Sequence, residues 1–184
     1  MQSVLGIMEE SNWKSRFREL FESSRQRFKS GHHSVELLFG DDEINFLSSI
    51  GCQAQELFDF VEDHVRYGEP DAEMALLVAA VRERYLREVQ HGVRSKKVTH
   101  ASLLPPKPQA MEGIPWLPRL IAKARAKLRG ELDQSTMYGC AGDRPFLASY
   151  DMDLVQFLEL VWNAGDDDRA ILSALRRAKD RLND

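Results

Sequence analysis

Residues 113–147 read GIPWLPRLIAKARAKLRGELDQSTMYGCAGDRPFL, and the fold turns on this stretch. Leu117, Leu120, Ile121, Ala124 and Leu128 recur at three- and four-residue steps, which places them on one stripe of a helix. Gly130 supplies the stop. A polar loop carrying Cys140 follows, and Asp143 reads as the N-cap of a short helix with Pro145 in its first turn and Phe146 and Leu147 on it.

The pattern continues on both sides. Asp153 reads as the start of a further helix, with Val155, Phe157, Leu158, Leu160, Val161 and Trp162 mostly buried. Asp166 to Asp168 fall at the N-terminus of the last helix, where carboxylates favour the dipole and cap free N–H groups. Ile171, Leu172, Leu175, Ala178 and Leu182 form its apolar face. Upstream, residues 93–115 lose all periodicity and hold Pro105, Pro106, Pro108 and Pro115, which favour extended backbone and read as a linker.

Before the linker, Trp13, Phe17, Leu20, Phe21 and Phe28 predict a helix over Trp13–Lys29, preceded by a loosely ordered arm, Met1–Ser11. Val35–Phe39 reads as a connector, because no partner run for a strand is evident. Asp41 and Asp42 cap a short helix with Ile44, Phe46, Leu47 and Ile50, and a buried helix spans Ala54–His64. Pro70 and Asp71 open the longest helix, reaching about Gln90. The expected class is therefore all-α.

The two halves share a plan at a shift of about 100 residues. Leu20-Phe21 aligns with Leu120-Ile121, Phe28 with Leu128, Phe46-Leu47 with Phe146-Leu147, and Leu57–Val61 with Phe157–Val161. The reading is an internal repeat whose related halves pack pseudo-symmetrically. The organisation is an N-terminal helical half, 1–92, a proline-rich linker, 93–115, and a C-terminal helical half, 116–184.

With 43% hydrophobic and 29% charged residues, the composition is that of an ordinary globular protein. The net charge of −4 gives no bulk attraction to nucleic acid or to an anionic membrane. Cys52 and Cys140 are too few for a disulfide framework and read as reduced thiols. The N-terminus lacks a basic segment before an apolar run, and no apolar run is long enough to span a bilayer, so a cytoplasmic location is expected.

Gly113-Ile114-Pro115-Trp116-Leu117-Pro118-Arg119-Leu120-Ile121-Ala122-Lys123-Ala124-Arg125-Ala126, with the later Cys140-Ala141-Gly142-Asp143, resembles a bacterial family known as domain of unknown function 5069. In that family an aromatic residue precedes Leu-Pro-Arg-x-Ile-Asp-Lys-Ala-Arg-Ala, and a later Cys-Pro-Leu-Asp precedes an apolar helix. Two departures stand out: Ala122 replaces the acid, and Ala141-Gly142 replaces Pro-Leu. The resemblance implies a small helical domain and brings no activity with it.

Candidate site residues concentrate in the same stretch. Arg119, Lys123 and Lys127 lie on one helical line, with Arg125 and Arg129 beside it, and could receive phosphate, carboxylate or a nucleic-acid backbone. The bland alternative is a solvated polar face. Cys140 sits just before a helix N-terminus, which favours thiolate. A nucleophile also needs a base, however, and no histidine occurs in residues 116–184. A buried structural cysteine is therefore the competing reading. His32 and His33 with Cys52 or His64 make a poor metal set, and no metal or other cofactor is expected.

The function expected from sequence is binding or interaction rather than catalysis. A small anionic ligand or a protein partner would be recognised through Arg119, Lys123, Arg125, Cys140, Asp143 and Arg144. The alternative is a small enzyme or ligand sensor with its pocket at the Cys140 loop. Nucleic acid and membrane are disfavoured as partners, and a homo-oligomer stays open.

Overall fold

The computed structural model describes the backbone of residues 4–183 and the side chains of residues 12–182. Nine α-helices occur among the described residues. They are α1 (Val4–Lys29), α2 (Val35–Leu38), α3 (Asp41–Ser49), α4 (Ala54–Tyr67), α5 (Ala72–Glu88), α6 (Leu117–Arg129), α7 (Asp143–Ala148), α8 (Leu154–Ala164) and α9 (Asp168–Asn183). The only sheet among the described residues is a minimal hairpin, β1 (Ala110–Met111) against β2 (Ile114–Pro115). The protein is all-α. No helix among the described residues is long and apolar enough to cross a membrane.

Four expectations need correction. The first helix begins at Val4, so most of the expected arm is helical, and Met1–Ser3 lies outside the described residues. At 26 residues, α1 is also the longest helix, exceeding the 17 of α5. Val35–Leu38 is a full helical turn, because Ser34 caps it by accepting from the Leu37 N–H. Asp143 is not an N-cap: it stands inside α7, Gly142 precedes it, and its carboxylate is used elsewhere.

The chain divides into two compact units, the first ending at Ala79 and the second beginning at Ala80. In the first, α1 packs on α4, and α2 and α3 also lie against α4. Phe17, Phe21 and Phe28 of α1 are buried, as are Leu57, Phe58 and Val61 of α4, and Phe28 meets Phe58 edge-on at 5.8 Å. Arg27 of α1 forks onto Glu43 of α3 with two bonds of 2.8 Å, while Glu43 also accepts from the Gly40 N–H.

In the second unit α6 packs on α8, and α7 and α9 also lie against α8. Leu117, Leu120, Ile121, Ala124 and Leu128 are buried, as their spacing requires. The proline-rich segment is laid onto this unit. Thr99 bridges Leu132, Arg119 donates to the Pro105 carbonyl at 2.9 Å, and β1 lies beside α6. Gly130 ends α6 at φ +69°, and the Arg82 guanidinium fills the space where a β-carbon would stand, with Nη2 only 2.6 Å from that position. Only glycine satisfies both conditions.

Candidate functional site

The six candidate side chains do not converge on one site: five are divided between two places, and Arg119 is held on the Pro105 carbonyl. The first lies where α6 meets the Cys140 loop. Lys123, expected on a polar face, is 3% exposed, and Lys127 is 2% exposed. The solvated-face reading is therefore wrong for both. Eight of the thirteen residues of α6 are buried, so the helix is covered well beyond its apolar stripe.

The ammonium of Lys123 meets the carboxylate of Asp143, which is wholly buried. Asp143 Oδ2 also accepts from the Gly139 N–H at 2.9 Å, and Oδ1 accepts from the Trp116 indole N–H at 3.0 Å. Three donors thus satisfy the buried charge, as such a charge demands. Lys123 Nζ has a second contact, the Cys140 Sγ at 3.5 Å. Cys140 is half-exposed rather than sealed in the core, whereas Cys52 is buried.

Trp116 is held at φ +71°, a region that L-residues other than Asn and Asp rarely enter. Its ring lies against Gly142, where an added β-carbon would come within 2.7 Å of the indole Cζ2. A side chain at position 142 would collide with this indole. Tyr138, buried nearby, donates to the Leu154 carbonyl at 2.8 Å. Burial first, and then the charges of Asp143 and Asp153, push its pKa upward. Arg144 donates to the Gly139 carbonyl at 2.6 Å and so belongs to the loop's own framework.

Chemically, this cluster is a lock with one reactive edge. Asp143 has donors on both oxygens and is not poised as a base. The Cys140 thiol, half-buried, stands beside the Lys123–Asp143 pair. The histidine of the second unit that makes a side-chain bond is His100, which meets Asp133 at 3.0 Å and not Cys140. With Ser135 as the larger cause and His100 after it, the Asp133 carboxyl is held at about 2. No group of three His, Cys, Asp or Glu suited to a metal occurs among the described residues.

The second place is an open cleft of about 240 Å³ formed by α5, α6 and α8. Tyr85 comes from α5 and Val89 from just after its end, Arg125, Leu128 and Arg129 from α6, and Val161 and Trp162 from α8, with Gly165 and Asp166 also lining it. Tyr85 stands edge-on to Trp162 at 5.3 Å, and the Arg84 guanidinium lies over the Trp162 ring at 4.6 Å. Arg125 donates twice to the Gly165 carbonyl, at 3.0 and 2.7 Å, and pairs with Asp168 at 2.6 Å. Arg129 is anchored on Glu131 at 2.7 Å. Sequence reasoning missed Tyr85 and Trp162, because an aromatic residue lining a cleft and one filling a core occupy the same helical spacing. It missed Trp116 as a site residue for a different reason: nothing in the sequence announces a left-handed tryptophan.

These features define an all-α protein in which a buried lysine–aspartate pair pins a cysteine-bearing loop beside an arginine-lined cleft. Residues 105–184 match the model of the family described as Domain of unknown function (DUF5069). No curated protein and no solved structure matches the chain.

Proposed function

We propose that this is a non-enzymatic binding protein that takes up a small anionic ligand in the cleft of the second unit. The observation that carries this reading is the pair Arg125 and Arg129, one helical turn apart, both lining a cleft with aromatic walls. Each guanidinium is fixed from behind by a protein acceptor, which lowers the ordering cost of binding. Of the residues expected to recognise the ligand, Arg125 is kept and Arg129 joins it. Lys123, Cys140, Asp143 and Arg144 support the loop, and Arg119 is committed to Pro105. Nucleic acid is no part of the proposal, since two of the five cations of α6 are buried. A cytoplasmic location belongs to the same reading, supported by two free thiols.

A thermal-shift titration with benzoate, citrate and inorganic phosphate tests it. A ligand at one hundred times its Kd adds about 2.7 kcal/mol to stability, and the melting temperature rises with concentration. At least one of these anions should give such a rise, and Arg129→Met should reduce it. A flat response to all three removes the proposal.

A second reading, a ligand sensor or small enzyme at the Cys140 loop, has one observation in its favour: a half-exposed thiol touched by a buried ammonium. Its test is alkylation by iodoacetamide followed by peptide mapping. Cys140 should label while Cys52 is spared, and Lys123→Met should slow labelling of the native protein. Equal labelling rates in the two proteins would leave the loop a purely structural lock.

A further inference from the structure

We infer that the ligand of this cleft is a zwitterion, an α-amino acid with an apolar or aromatic side chain. The inference rests on the anion-binding reading and narrows it. The cleft is not uniformly basic. Arg125 spends Nε and Nη2 on Gly165 and Asp168, so Nη1 remains without a partner among the described residues. Arg129 spends Nε on Glu131 and keeps its two terminal nitrogens. Both keep N–H groups that a carboxylate can accept from, and the planar donors of a single guanidinium match one.

Asp166 lines the same cleft, and its carboxylate meets no hydrogen-bond or ion-pair partner among the described residues. A simple anion gains from the arginines but is repelled by Asp166. A simple cation suffers the reverse. A molecule that carries carboxylate and ammonium on adjoining atoms satisfies both. The remaining wall, from Leu128, Val161 and Trp162 with the edge of Tyr85, then receives an apolar side chain. A volume of about 240 Å³ gives room for an amino acid.

Isothermal titration of the full chain with L-phenylalanine, L-leucine, 3-phenylpropanoate and phenethylamine separates the cases. One of the two amino acids should bind, at least ten-fold more tightly than the acid or the amine, since a charge-assisted hydrogen bond is worth about a ten-fold change or more. Asp166→Asn should weaken the amino acid about ten-fold and leave 3-phenylpropanoate unchanged. If 3-phenylpropanoate binds as tightly as phenylalanine and Arg129→Met weakens both, the zwitterion inference falls and the anion site stands. If nothing with a carboxylate binds, both fall. If an amino acid binds but ignores both substitutions, its site lies elsewhere and the inference is overturned.

Discussion

Asp143 shows how much rests on single residues. Its charge is held by Lys123, the Trp116 indole and the Gly139 N–H, all away from water. Lys123→Met leaves that carboxylate short of its cation, and breaking a buried pair on one side costs about 3–5 kcal/mol. Urea unfolding should show the loss, and adding Asp143→Leu should recover part of it, because the orphaned charge is gone. Gly142→Ala should cost about 1–3 kcal/mol by driving a methyl group into the Trp116 ring. Combining it with Trp116→Leu should give less than the sum of the two single losses.

Asp59 supplies a pH dependence at the same scale. Burial, reinforced by Glu62, Asp63 and Glu56 and opposed by the bond from Gln55, raises its carboxyl from 3.8 to about 6. A raised folded-state pKa means that the proton is held more tightly in the native state. The resulting stability is complete below the unfolded value and lost as pH rises through about 6. Asp59→Asn keeps the acceptor for Gln55 without the charge. It should therefore raise stability at pH 7 by about 1–2 kcal/mol and bring no gain at pH 4, as read from urea midpoints at the two pH values.

Among the elements, α6 was the most legible and the most misread. Its stripe, its start and its stop at Gly130 follow from spacing and from the conformational freedom of glycine. The fate of its lysines does not. Lys123 and Lys127 sit where a helical wheel predicts solvent, yet both are buried, Lys123 against Cys140 and Asp143 of the loop. The path of the loop over Lys123 depends on contacts that no local period encodes, which is also why Asp143 reads as a cap and is a counter-ion. Gly130→Ala should exceed the ordinary helix-terminus penalty of about 1 kcal/mol, since it meets both a left-handed φ and the buried Arg82 guanidinium. Thermal unfolding of that variant, alone and with Arg82→Ala, separates the two causes: relief in the double variant marks the contact.

At the scale of the whole molecule, each of the two units can be described by one pair of packed helices. In the first, α1 ends at Lys29 and α4 begins at Ala54; in the second, α6 ends at Arg129 and α8 begins at Leu154. In the first unit α1 packs on α4, three helices along, and in the second α6 packs on α8, two along, with a short helix, α3 or α7, against the latter. In each unit an ion pair ties one of these helices to the short one. Arg27–Glu43 joins α1 to α3 as Lys123–Asp143 joins α6 to α7, with the cation one helical turn later in its helix. The first pair is 36% and 25% exposed and the second 4% and 0%. Water can replace a lost partner in the first but not in the second, so Arg27→Met should cost about 1 kcal/mol against the 3–5 kcal/mol of Lys123→Met. Urea unfolding of the two variants at 0.1 and 1 M salt tests the contrast. Added salt should erase most of the Arg27 effect and little of the Lys123 effect, because only the exposed pair is screened; equal losses with equal salt dependence would show that the buried pair holds no special place in the second unit.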